Sequence, residues 1–70
     1  MPLFTDECTR TLEREGIDVQ EAIEDFQAGR DHWDEVDREW YRYGQLGVYL
    51  YEPRFVFGRR DELVTYVWLR

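Results

Sequence analysis

The sequence contains three groups of residues whose types could support chemistry, and the first surrounds a histidine. Five carboxylates flank His32, at Asp31, Asp34, Glu35, Asp37 and Glu39. Their spacing lacks the alternate-residue ligands and the glycine of an EF-hand loop, which binds calcium. A single histidine cannot complete a transition-metal site. We therefore expect no metal cofactor.

The other two groups are Cys8 and three arginines. Cys8 lies on the apolar side of a predicted helix, which favours a buried, unreactive thiol over a nucleophile. Together with Glu62, Arg54, Arg59 and Arg60 could in principle cleave RNA, yet they lie in or beside predicted turns. General acid–base catalysis needs positioned groups with tuned pKa values, and abundant carboxylates do not show positioning. We expect the chain to bind no cofactor and not to be an enzyme.

Charge is distributed unevenly along the 70 residues. Before Trp40, thirteen carboxylates and four arginines give a net charge of −9; from Trp40 onward, five arginines and three carboxylates give +2, which together make the overall −7. A salt adaptation would acidify every exposed surface. The segregation therefore favours a functional acidic surface over the solvated surface of a halophile's protein.

Such a surface could bind a partner that normally binds nucleic acid. Duplex DNA carries about one negative charge per 1.7 Å of its axis, and proteins bind it through grooves of lysine and arginine. We predict a protein partner with a basic surface, and no direct binding to nucleic acid or to a membrane. The carboxylates expected to contact this partner are Glu13, Glu21, Glu24, Asp25, Asp34 and Asp37.

Two helices are predicted to position most of these carboxylates. The first runs from about Asp6 to Glu15, with Thr5 or Asp6 as N-cap and Gly16 in a left-handed conformation after its end. Asp18 then caps a second helix, which Gly29 ends. The apolar residues of the two helices fall on one side of each, at Phe4, Cys8 and Leu12 in the first and at Val19, Ala22, Ile23 and Phe26 in the second.

The segment from Arg30 to Glu39 fits two structures. Trp33, Val36 and Trp40 have helical spacing. Every second residue from Val36 to Arg42 could instead lie on one face of an edge strand, namely Val36, Arg38, Trp40 and Arg42. Both patterns are compatible with these residues. We favour a short third helix.

Apolar residues take a period of two after this segment. Strands are predicted at 45–51, 54–57 and 63–69, and they form an antiparallel meander. In the last strand Leu63, Thr65, Val67 and Leu69 should meet the helices, with Val64, Tyr66 and Trp68 on the other face. The predicted fold is a single α+β domain over 1–70, with a helical hairpin and a short third helix packed on a three- or four-stranded antiparallel sheet.

Aromatic residues gather on the second face of this sheet, at Tyr49, Tyr51, Tyr66 and Trp68. Tyrosine and tryptophan are enriched in interface hot spots. A 70-residue chain with one cysteine has no internal disulfide and little surplus stability. We expect this face to be covered, either by the segment from Trp33 to Trp40 or in a homodimer.

Composition also bears on the compartment. The single cysteine fits a reducing environment, and no signal peptide or apolar stretch of about 20 residues is visible. The expected location is the cytoplasm, or the host cytoplasm if a phage encodes the chain.

In size, acidity and arrangement the chain resembles the small inhibitors that phages use against host defence, notably anti-CRISPR proteins that act as acidic decoys of DNA. The carboxylates from Asp6 to Glu39 carry this resemblance. It implies a stoichiometric inhibitor whose partner is the basic nucleic-acid groove of a CRISPR effector complex.

A second resemblance is to the compact mRNA-cleaving toxins of toxin–antitoxin systems, carried by the segments 12–17 (LEREGI) and 64–68 (VTYVW). It implies, as an alternative, an RNase-like domain that uses Arg54, Arg59 and Arg60. The basic residues expected in the first helix are replaced here by Glu7, Thr11 and Glu15. A halophile-type domain without an active surface is a third alternative.

Overall fold

The computed structural model describes residues 3–44 and 52–70, which form two helices and five strands. In chain order these are β1 (Leu3–Phe4), α1 (Asp6–Arg14), α2 (Val19–Ala28), β2 (His32–Asp34), β3 (Glu39–Tyr43), β4 (Pro53–Gly58) and β5 (Leu63–Leu69). The strands make one sheet in the order β1-β5-β4-β3-β2. Both helices contribute to a core on one side of it, so the fold is α+β.

The two helices begin and end where their capping signals predict. The hydroxyl of Thr5 accepts the backbone N–H of Cys8 at 3.3 Å, and Oδ1 of Asp18 accepts that of Glu21 at 3.1 Å. Both bonds satisfy amides that a helix start leaves without a partner. Gly16 has φ 72°, the left-handed conformation expected after the end of α1.

The predicted third helix is wrong, because residues 32–43 form a β-hairpin. Oδ1 of Asp34 accepts the backbone N–H groups of Val36 and Asp37, each at 2.9 Å. A short acidic side chain that binds the backbone in this way favours a turn over a helix. The turn ends at Arg38 in a left-handed conformation, with φ 54°, and β2 and β3 then pair antiparallel.

The sheet is mixed and five-stranded, not antiparallel with three or four strands. Strands β1, β2 and β3 were not predicted, and β1 makes the sheet mixed because it pairs in parallel with β5, Leu3 opposite Leu63 and Phe4 opposite Val64. Two residues are too few to show a period of two, so the sequence gives no strand signal here. The predicted strands at 54–57 and 63–69 are confirmed as β4 and β5; the one at 45–51 lies outside the described residues.

A β-bulge changes which residues of β5 face the helices. Phe57 is opposite Val64 and Val56 is opposite Tyr66, which leaves Thr65 as the extra residue. Because the bulge shifts the alternation by one, Val64 and Val67 are both buried. The prediction that Val64 shares a face with Tyr66 is therefore wrong.

Phe26 of α2 lies at the centre of the core. Its ring contacts those of Phe4, Phe55 and Phe57 edge-on, with centroids 6.3, 5.6 and 5.0 Å away, an arrangement that aromatic rings favour. The other buried members of the core are Cys8, Leu12, Ile17, Ala22, Val64 and Val67. The apolar residues predicted for both helices thus belong to the core or pack against it, with the exception of Ile23.

Candidate functional site

Charges that are segregated in the sequence meet in the fold. Three carboxylates that precede Trp40 accept hydrogen bonds from three arginines that follow it. Asp31 accepts from Arg42 and Arg59. Asp34 and Glu39 both accept from Arg54. These pairs neutralise most of the negative charge around the β2–β3 hairpin. The uncompensated charge of the described residues is therefore concentrated on the helices.

The carboxylates of the helical hairpin form the first candidate surface. Between Glu15 and Gly29 the chain has five carboxylates and no arginine. Glu21 and Glu24 are exposed on the side of α2 opposite its buried residues. On α1, Arg10 and Arg14 lie among the acids. The exposed carboxylates Glu13, Glu15, Asp18, Glu21 and Glu24 are here called the acidic helix surface.

The structure divides the six predicted partner-binding residues between the two sides of the sheet. Glu13, Glu21 and Glu24 are exposed on the helices. Asp25 is only partly exposed, and its carboxylate lies against Gly44 at the end of β3. The remaining two, Asp34 and Asp37, belong to the hairpin of β2 and β3.

The second candidate surface is the side of the sheet opposite the helices, here called the open sheet face. Strand register places side chains of β3, β4 and β5 on it, among them Tyr41, Arg54, Val56, Tyr66 and Trp68. Tyr66 and Trp68 are 50% and 53% exposed. These two predicted interface residues share this face, whereas Tyr49 and Tyr51 lie outside the described residues.

Arg54 is the buried charge of the open sheet face. It is 9% exposed. Its Nη2 donates to Oδ2 of Asp34 at 2.8 Å and its Nη1 to Oε2 of Glu39 at 3.1 Å. The guanidinium carbon lies 4.0 Å from the ring centroid of Tyr41. The two carboxylates and the aromatic ring compensate for the burial of the guanidinium charge. A planar guanidinium can bind two carboxylates and stack on a ring at the same time, whereas the ammonium group of a lysine cannot.

A depression of about 540 Å³ lies beside Arg54. Its lining combines three carboxylates with exposed aromatic rings, at Asp34, Asp37, Glu39, Tyr66 and Trp68. One arginine and three carboxylates leave a net charge of −2. The depression therefore favours a cationic group over a phosphate.

Carboxylate oxygens of Asp34, Asp37 and Glu39 lie within 4.8 Å of one another. This spacing could suit a cation, but both oxygens of Asp34 already accept hydrogen bonds, and the Arg54 guanidinium supplies the positive charge between Asp34 and Glu39. A divalent ion would have to displace or oppose that arginine. The geometry favours a structural ion-pair network over a metal site.

The predicted cover of the aromatic strand face by the segment from Trp33 to Trp40 is wrong. That segment is part of the sheet, and Trp40 is opposite Phe57, a core residue, so its ring lies on the helix side. The Trp33 ring packs beside it, with centroids 5.3 Å apart. Cover by a homodimer remains a prediction.

The three arginines of the RNase-like alternative are divided between the two sides of the sheet. Arg54 points to the open sheet face, whereas Nε of Arg59 donates to Asp31 at 3.2 Å and its guanidinium lies 4.7 Å from the Trp40 ring centroid, on the helix side. Arg59 and Arg60 line a depression of about 600 Å³ on that side, together with Arg42 and Glu62. No single surface of the described residues presents all three arginines to a phosphate backbone.

The pKa values of Asp31 and Cys8 are shifted from their ordinary values. The hydrogen bond from Arg42, assisted by that from Arg59, lowers the pKa of Asp31. Burial, with a smaller contribution from the nearby charge of Glu7, raises the pKa of Cys8 to about 11. A thiol with this pKa and 1% exposure is a core residue and a poor nucleophile.

Neither α1 nor α2, the helices of the described residues, has the length and apolar composition needed to cross a membrane. Comparison of the chain with models of known protein families, with curated proteins and with solved structures found no significant match.

Proposed function

We propose that the chain is a small stoichiometric inhibitor that binds the basic, nucleic-acid-binding groove of a partner protein through its acidic helix surface. The observation that carries this proposal is the stretch from Glu15 to Gly29, which has five carboxylates and no arginine. Asp34 and Glu39 of the hairpin, in contrast, are held by the chain's own Arg54.

The spacing of the carboxylates supports mimicry of a phosphate backbone. Asp18, Glu21 and Glu24 recur every three residues, and a helix rises 1.5 Å per residue, so one carboxylate occurs every ~4.5 Å. One strand of DNA has a phosphate about every 3.4 Å of axis. A lysine- or arginine-lined groove therefore meets a similar density of negative charge.

The resemblance to acidic anti-CRISPR proteins suggests the class of partner. A CRISPR effector complex holds nucleic acid in a positively charged channel. Binding of the acidic helix surface in that channel would exclude DNA in a one-to-one complex, without catalysis and without a cofactor.

A competition experiment tests this proposal. Fluorescence anisotropy would follow DNA binding by a purified CRISPR effector complex as the protein is added. We expect the wild type to displace DNA and the Glu21→Arg/Glu24→Arg variant to fail, with an unchanged circular dichroism spectrum. The matched control is Glu35→Arg/Glu62→Arg, which makes the same charge change at exposed positions off the acidic helix surface and should still displace DNA. Full displacement by the Glu21→Arg/Glu24→Arg variant would remove the acidic helix surface from the proposal.

A toxin-type RNA-binding or RNA-cleaving domain is the second candidate. One observation favours it: the order that the resemblance implies, two helices joined at Gly16 and Ile17 and followed by strands, is the order of the elements that follow β1. The division of its arginines between two sides of the sheet opposes it. Incubation of the protein with RNA and a chelator decides between the candidates, since cleavage that Arg59→Ala abolishes would favour the toxin-type domain.

A further inference from the structure

Most of one edge of β5 has no neighbouring strand among the described residues. β1 pairs only with Leu63 and Val64. After β1 the chain turns into α1, and Thr5 makes the last contacts with this edge, through its N–H to the carbonyl of Val64 at 3.0 Å and its hydroxyl to that of Thr65 at 3.4 Å. Residues 66–69 thus lie beyond the reach of β1.

The direction of the backbone groups along this edge follows from the end of the β4–β5 ladder. Glu52 and Arg70 exchange two backbone hydrogen bonds, of 3.1 and 3.2 Å. In an antiparallel pair, residues alternate between those that face the neighbouring strand with both N–H and C=O and those that face away. Because Arg70 and Trp68 face β4, Val67 and Leu69 direct their N–H and C=O groups to the edge that no described strand covers.

Most of this edge also lacks the features that usually prevent strands from pairing. Proteins protect sheet edges with lysines, prolines, inward charges or bulges. Residues 65–69 (TYVWL) contain no charge and no proline. The bulge at Thr65 disturbs only the start of this stretch, and the exposed rings of Tyr66 and Trp68 stand next to it on the open sheet face.

We propose that two copies of the chain pair through this edge, β5 against β5, antiparallel and centred on Val67. In this register the two Val67 residues exchange both backbone hydrogen bonds. Each Tyr66 lies directly opposite Trp68 of the other copy, and each Thr65 lies opposite Leu69. The dimer has one continuous ten-stranded sheet, and β1 of each copy limits the paired stretch to residues 65–69.

Self-complementarity identifies the occupant as a second copy. With the two-fold axis at Val67, Tyr66 of one copy meets Trp68 of the other on both sides of the axis. Aromatic side chains at directly opposite positions of an antiparallel pair stabilise the sheet. The paired stretch is uncharged, although each copy carries a net charge of −7. Repulsion between the copies is therefore a long-range effect that salt screens, so salt should strengthen the dimer, whereas it should weaken binding to a basic partner. This inference is independent of the proposed function.

Sedimentation and cross-linking test the proposal. We expect a monomer–dimer equilibrium that shifts to dimer as salt rises, and a monomer for Trp68→Lys; Val36→Lys, which changes an exposed apolar residue in the β2–β3 turn, should dimerise normally. The register is tested by mixing Tyr66→Cys with Trp68→Cys in oxidised glutathione. In the proposed ladder these positions form a close, non-hydrogen-bonded pair, whose spacing suits a disulfide.

Rapid formation of the mixed disulfide, and slow formation when either cysteine variant is alone, supports the register. Monomers at every protein and salt concentration would overturn the proposal. So would a dimer that survives Trp68→Lys while the amide of Val67 exchanges with solvent at the rate seen in the monomer.

Discussion

Asp31 and Arg42 form an ion pair of 2.7 Å that ties the start of β2 to β3. The same guanidinium donates to the backbone carbonyl of Phe26 at 3.0 Å and lies over the rings of Phe26 and Phe57, 4.4 and 5.0 Å from their centroids. Asp31 therefore holds the arginine that joins the last turns of α2 to the sheet.

This ion pair makes part of the stability depend on pH. Its partners lower the folded-state pKa of Asp31 below the ordinary value of 3.8, so the stabilisation is complete above about pH 5 and is lost as pH falls through the folded-state pKa. We expect Asp31→Asn to lower the free energy of unfolding at pH 7 by ~1 kcal/mol, the upper range for a partly exposed pair. Urea unfolding from pH 7 to about pH 2 should show the difference from wild type shrinking. A constant difference across this range would contradict the prediction.

Removal of Arg54 should be more damaging. Arg54→Ala leaves Asp34 and Glu39 close together without their cation, and breaking a buried ion pair costs on the order of 3 kcal/mol. Arg54→Lys keeps the charge but not the fork, and should lose less. Urea unfolding of the triple variant Arg54→Met/Asp34→Asn/Glu39→Gln provides the control, because it removes all three charges. We expect it to recover most of the stability; if it is as unstable as Arg54→Ala, the cost is not electrostatic.

Binding to a basic partner should weaken with salt. Exposed charges are screened beyond about 10 Å at 0.1 M salt, and the acidic helix surface would act mainly through such charges. We expect affinity to fall at least roughly tenfold between about 0.1 and 0.5 M salt, as for proteins that neutralise several phosphates. Titration calorimetry at both salt concentrations measures this, and equal affinities would indicate an apolar interface such as the open sheet face.

Cys8 should report opening of the core. Its thiol is buried and its pKa is raised to about 11, so little thiolate is present at pH 8 and reagents cannot reach it. We expect Ellman's reagent to label the native protein far more slowly than the protein in urea. Labelling of the native chain at the rate of a free cysteine would show that α1 leaves the sheet readily.

Local signals predicted the helices well. The caps at Thr5 and Asp18 and the turn at Gly16 depend on residues within four positions of one another. Both partners of each contact therefore appear in a short stretch of sequence and can be recognised there. The spacing of seven between Trp33 and Trp40, in contrast, suits one face of a helix and also the opposite positions of a hairpin. The hydrogen bonds that Asp34 makes with its own turn decide between them.

Ion pairs between residues far apart in the sequence could not be predicted from local signals. Arg54 is 20 residues from Asp34 and 15 from Glu39, and no spacing rule connects residues so far apart. For the same reason the sequence identified the acidic residues but not which of them the arginines neutralise. The bulge at Thr65 also has no clear sequence signal, since the residues around it alternate equally well without it.

The parallel pairing of β1 with β5 has a consequence for folding kinetics. Leu3 meets Leu63 sixty residues later in the chain, and contacts of such high sequence separation form slowly because closing the intervening loop costs entropy. Strands β4 and β5 are joined by a short turn and can pair early. We therefore expect the C-terminal hairpin to be structured in the transition state and β1 to join after it. Stopped-flow measurements on Phe4→Ala should then show faster unfolding with little change in the refolding rate, because the first strand of the sequence would be the last to enter the sheet.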